Sequence, residues 1–138
     1  MAASDNVVRA GLTPKFRDVD TLTSMLTYLD GPPRIFPGEE IGPNVRRYMP
    51  PVDEFMVDRV VLGANAEAAL PSTVGVSIIL VLTGSGTIEE FPEDAVGAAG
   101  LMHTVDAGAV FMSSADTFIR LRTFEQPMSV YRASAQQC

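Results

Sequence analysis

Arg9 and Lys15, six positions apart with Gly11 and Pro14 between them, are the side chains of this sequence best suited to grip an anion. Lys15 is the only lysine among 138 residues. Arginine offers a planar fork of donors and lysine a compact point charge, so the two together can hold a phosphate. Gly11 admits positive φ and the close approach of a ligand, whereas Pro14 fixes its own φ and biases Thr13 towards extended backbone. Spacing alone fits equally a pair of solvated surface charges beside a turn.

No other set of residues forms a comparable constellation. Zinc requires three or four His, Cys or carboxylate ligands converging on one point. The chain has one histidine, His103, in a strand-like segment, and one cysteine, Cys138, at its last position. His103 therefore reads as a partly exposed strand residue, and no metal ligand is assigned. Glu89-Glu-Phe-Pro-Glu-Asp94 clusters four acids, but Pro92 and the lack of further ligands favour a solvated loop over a calcium site. Gly84-Ser-Gly86 follows one apolar strand and precedes another, so it reads as a hairpin or sharp bend; a dinucleotide fingerprint would need a helix there. The seven methionines are scattered and read as core filler.

The elements that must carry these residues fall into three zones. Val19, Leu22, Met25, Leu26 and Leu29 recur at helical spacing behind Asp18, a natural N-cap, and Gly31-Pro-Pro33 ends the pattern. Six prolines and three glycines between Gly31 and Pro51 predict an irregular connection. Strand signals follow at 55–62, 75–82, 87–91, 101–105, 109–113, 117–122 and 128–132, separated by Gly, Pro, Asp and Ser. Phe118-Ile-Arg-Leu-Arg122 alternates, with Ile119 and Leu121 on the face opposite Phe118, Arg120 and Arg122. The expected class is mainly β, a sandwich or barrel. Gly84-Ser-Gly86 and Asp106-Ala-Gly-Ala-Val-Phe111 resemble the turns of cupin-type jelly rolls.

Composition narrows the function classes. With 46% hydrophobic residues there is apolar material for one core. Ten basic against 17 acidic residues give a net charge of −7, which repels a polyanion, so nucleic acid is not an expected partner. The longest apolar run, from Val74 to Leu82, is broken by Gly75 and Ser77 and is too short to cross a bilayer. No basic and then apolar leader opens the sequence, and a lone cysteine fits a reducing, cytoplasmic setting.

A resemblance sharpens the reading. Ser4-Asp-Asn-Val-Val-Arg-Ala-Gly-Leu-Thr-Pro-Lys-Phe-Arg-Asp-Val19 resembles the S-D-N-x-x-R-A-G-L-T-P-K-F-x-D-V signature of type I mannose-6-phosphate isomerases. Tyr48-Met-Pro-Pro-Val-Asp-Glu-Phe55 resembles the Y-x-P-P-x-x-x-F opening of that family's C-terminal domain. The resemblance implies a zinc-dependent interconversion of mannose 6-phosphate and fructose 6-phosphate that supplies GDP-mannose precursors, with Arg9 as catalytic arginine and Lys15 lining the phosphosugar pocket. It implies that the zinc ligands lie on chain N-terminal to this motif, so this chain corresponds to a C-terminal portion, itself inactive. Residues 1–16 would then be a strand or loop of the catalytic cupin domain, 17–49 a helix and connection, and 50–138 a C-terminal jelly roll. The alternative from another class is a non-catalytic cupin-like β domain that binds a partner or holds an oligomer together.

Overall fold

The computed structural model describes residues 8–9, 11–33, 35–92 and 100–135. The chain forms two compact units, residues 1–35 and 36–138. In the first, α1 spans Val19–Met25, with Asp18 as N-cap accepting from the Thr21 amide. The helix is shorter than its apolar period suggests, because Leu26 already turns extended, well before Gly31. Hydroxyls explain this: Thr23 Oγ1 donates to the Val19 and Asp20 carbonyls and Ser24 Oγ to that of Thr21, competing with the helical amides. No α1 residue is buried, so its stripe of Val19, Leu22 and Leu26 forms no core.

Among its described residues the second unit has ten strands in two antiparallel sheets. The strands are β1 (Glu39–Gly42), β2 (Val45–Tyr48), β3 (Met56–Leu62), β4 (Glu67–Leu70), β5 (Ser77–Thr83), β6 (Ser85–Pro92), β7 (Leu101–Asp106), β8 (Val110–Ser113), β9 (Thr117–Arg122) and β10 (Met128–Ser134). One sheet runs β1-β2-β3-β10-β5-β8 and the other β4-β9-β6-β7. β1, β2 and β3 are neighbours in one sheet and β6 pairs with β7 in the other, but every other sequential step from β3 to β10 crosses between the sheets, as in a jelly roll. Period-two alternation decides the inner faces: Val60 and Leu62 on β3, Ile79 and Val81 on β5, Val130 on β10, and Ile119 and Leu121 on β9 are fully buried in one cluster.

Two stretches depart from the sequence reading. The Pro-rich segment before Pro51 is no irregular connection throughout, since β1 and β2 pair there as a hairpin and β2 joins β3. Pro37, Pro43 and Pro50 fall outside the paired positions, and Asn44 takes the left-handed turn residue at φ 65°. β4 escaped notice because Glu67-Ala-Ala-Leu70 has little strand propensity; burial of Ala68 and Leu70 against β9 compensates. In the acidic cluster, residues 89–92 belong to β6 rather than a loop, and 93–94 lie outside the described residues.

Gly84 and Gly86 carry the chain from β5 in one sheet to β6 in the other, a bend rather than a hairpin. Gly84 has φ +82°, and a Cβ there would stand 2.0 Å from the Pro127 carbonyl oxygen. At the Asp106–Phe111 turn, Gly108 at φ 89° donates to the Val81 carbonyl, and the Val81 amide donates to that of Ala109. These bonds tie the β7–β8 crossing to β5.

Candidate functional site

The segment 9–18 is a closed loop. The Asp18 amide donates to the Arg9 carbonyl at 2.9 Å, so the backbone of Arg9 is brought to the start of α1. Within the loop the Lys15 amide donates to Thr13 Oγ1 at 3.2 Å, a local turn that Pro14 favours. Asp18 seals the junction by accepting from the Thr21 amide and hydroxyl, at 3.0 and 2.8 Å. Those two bonds hold its carboxyl below the usual carboxylate range, the amide contributing most.

Arg9 is half-buried and Lys15 exposed. Among the described residues neither side chain has an ionic partner. Gly11 has no positive φ and nothing within 4 Å of where a Cβ would stand, so the loop backbone itself does not demand a glycine there. The motif residues 4–7 and Ala10 lie outside the described residues. A guanidinium and an ammonium without ionic partners among the described residues are each chemically able to engage a phosphate.

The described residues do not fit a zinc site. Among them no three His, Cys, Asp or Glu side chains converge. His103 lies on β7 with its ring 6.0 Å from that of Phe111. Glu89 is engaged by Arg120 at 3.0 Å and accepts from the Gly100 amide, while Arg120 also sits over the Phe91 ring.

The largest electrostatic feature escaped the sequence reading. Asp58 on β3 and Arg132 on β10 are each 1% exposed and are register partners on the inner face of the six-stranded sheet. Arg132 donates from Nε at 3.1 Å and Nη2 at 2.5 Å to Asp58 Oδ2, and from Nη1 to the Pro71 carbonyl at 2.6 Å. Arg47 on β2 completes the group, donating to both carboxylate oxygens at 2.7 and 3.1 Å. Burial pushes the Asp58 carboxyl up, but the hydrogen bonds and charges of Arg47 and Arg132 outweigh it and hold the group below its ordinary value. Bonding to Asp58 raises Arg47 in turn. All three groups are consumed by one another, which makes this a structural lock. Its signal was in the sequence: Asp58 sits between Met56 and Val60 at an inward position of an apolar strand, and a buried carboxylate needs a partner.

Comparison with known proteins bears on both units. No protein-family model matches the chain. Among solved structures, a cupin protein from Bacteroides fragilis superposes with a TM-score of 0.55 at 13% identity, covering 74% of this chain and 86% of that one. A Cupin 2 conserved barrel domain protein from Salinispora arenicola superposes at 0.51 and 13% identity, over 78% of this chain and 88% of that one. At such identities the likeness concerns the fold, a cupin-like jelly roll. Sequence relatives are closer. Mannose-6-phosphate isomerase 2 of Arabidopsis thaliana is 44% identical over 133 residues, 96% of this chain, and the chain spans 28% of that relative's length. A probable mannose-6-phosphate isomerase of Dictyostelium discoideum is 38% identical over 97% of this chain and 30% of its own length. The chain is thus similar, along nearly its whole length, to a C-terminal portion of the mannose-6-phosphate isomerases.

Proposed function

We propose that the chain serves a mannose-6-phosphate isomerase, contributing the substrate-binding loop 9–18 and a C-terminal jelly roll. The observation that carries this reading is the tied loop with two cations unpaired among the described residues, in a chain 44% identical to an isomerase over 96% of its length. Interconversion of mannose 6-phosphate and fructose 6-phosphate moves a proton between C1 and C2 through a cis-enediol or enediolate. Negative charge develops on oxygen, and a preorganised cation stabilises it. Arg9 fits that role or the phosphate, since a guanidinium stays charged at neutral pH and is a poor proton carrier. Lys15 fits the phosphate, whose charge is the same in ground and transition states.

The zinc of this chemistry would polarise the sugar's oxygens; its ligands are not assigned to the described residues, nor is the general base. Residues 1–16 would form a strand or loop of the catalytic cupin domain, 17–49 the helix and connection, and 50–138 the C-terminal domain. The setting proposed is cytoplasmic; no helix among the described residues is long and apolar enough to cross a membrane.

A chimera tests the reading, with this chain replacing the matching 28% of the Arabidopsis relative. It should interconvert the two phosphosugars. Arg9→Ala should lower kcat about a hundredfold, the cost of losing one oxyanion donor. Lys15→Ala should act mainly on KM. Unchanged kinetics in both variants would return the pair to ordinary surface charge.

A further inference from the structure

Among its described residues the loop 9–18 has neither helix nor strand, and one backbone hydrogen bond closes it, from the Asp18 amide to the Arg9 carbonyl. The donor end of that bond is held by a side chain. Asp18 Oδ1 accepts from the Thr21 amide and Oδ2 from the Thr21 hydroxyl, so both carboxylate oxygens are committed to α1. The Asp18 carbonyl accepts from the Leu22 amide at 3.1 Å. Three bonds to the first turn thus fix residue 18, and with it the direction in which its own N–H points. Little else supports the turn, because α1 has seven residues, none of them buried, and a helix of that length is marginal in water. Capping is then a large share of what keeps the helix start formed. Asp18 makes no ion pair with Arg9 or Lys15 among the described residues, so its carboxylate does not neutralise either cation.

We propose that Asp18 is a positioning residue for Arg9: by capping α1 it holds its own amide where that amide ties the Arg9 backbone, and so sets where the guanidinium meets the phosphosugar. The inference rests on the functional reading above and adds to it a side chain that never touches substrate. Lys15, in the middle of the loop, is braced by the local turn to Thr13 and depends less on the tie.

The test uses the chimera with the Arabidopsis relative. Asp18→Ala should lower kcat about fivefold, the size of a lost cap read as an equilibrium, and leave KM within about twofold. Asp18→Asn keeps an acceptor for the Thr21 amide and should hold kcat within about twofold of the parent. Asp20→Ala removes an acid from the same turn without touching the cap and should change neither constant. In an Arg9→Ala background, Asp18→Ala should lower kcat no further, because the side chain it positions is gone. The same loss in both backgrounds would overturn the proposal, since the cap would then matter only to stability. Equal losses in Asp18→Asn and Asp18→Ala would overturn it too, by making charge the cause. A harmless Arg9→Ala would sink the functional reading itself, whereas a harmful Arg9→Ala beside a harmless Asp18→Ala would sink this inference alone. If the chimera does not fold, exchange of the residue 18 amide in the isolated chain, corrected for intrinsic rates, gives the answer. It should be about fivefold faster in Asp18→Ala than in the parent or Asp18→Asn. Equal rates in all three would show that the cap does not hold the tie.

Discussion

Asp58 places one carboxylate between two guanidinium groups, one of them as deeply buried as itself. Removing the carboxylate strands Arg132 in the core with a single remaining acceptor, the Pro71 carbonyl. Breaking one partner of a buried pair costs about 3–5 kcal/mol, so Asp58→Ala should lower denaturant-measured stability by that order. Arg47→Ala should cost less, because Arg47 is partly solvated at 18% side-chain exposure and Asp58 keeps Arg132. The pH dependence has a defined sign. Since the folded-state value of Asp58 is depressed, its contribution is complete above the unfolded value of about 3.9 and is lost as pH falls through the lower folded value. Stability curves collected below about pH 4 should therefore fall less steeply for Asp58→Asn than for the parent. Parallel slopes would show that the carboxylate does not titrate differently on folding.

At the scale of elements, the jelly roll depends on chain crossings between sheets, and the Gly84 crossing is the tightest. Gly84→Ala meets both a left-handed φ and the Pro127 carbonyl, which is backbone and cannot swing aside. The expected loss is about 3 kcal/mol or more, or failure to accumulate as folded protein. Gly63 is the control, with ordinary φ and open space where its Cβ would stand, so Gly63→Ala should change stability by less than about 1 kcal/mol. Similar losses at both positions would show that close approach is not what Gly84 provides.

For the whole molecule, protection should follow burial. Amides of β5, β9 and the centre of β10 lie in paired strands whose inward residues form the core, and they should exchange only on global unfolding. Those of α1 should exchange far faster, because a helix of seven residues with no buried side chain is marginal in water. Hydrogen exchange followed by mass spectrometry measures both in one experiment, and equal protection of α1 and β5 would contradict the burial pattern described for these elements.

The sequence by itself determined the strands whose apolar residues alternate, the Asp18 cap, the glycine bends and the positive charge of Arg9 and Lys15. All of these are local: they follow from side-chain period, from permitted φ, or from charge within a few residues. What lies between distant residues was decided only by tertiary structure. Glu67-Ala-Ala-Leu70 becomes a strand because β9 is there to pair with it, and the Pro-flanked hairpin of β1 and β2 forms because β3 offers a free edge. Asp58 and Arg132 stand 74 positions apart, and only the register of β3 against β10 sets one on the other. Pairing across a sheet is a non-local choice made by burial, and single-sequence periodicity carries only which face of a strand turns inward.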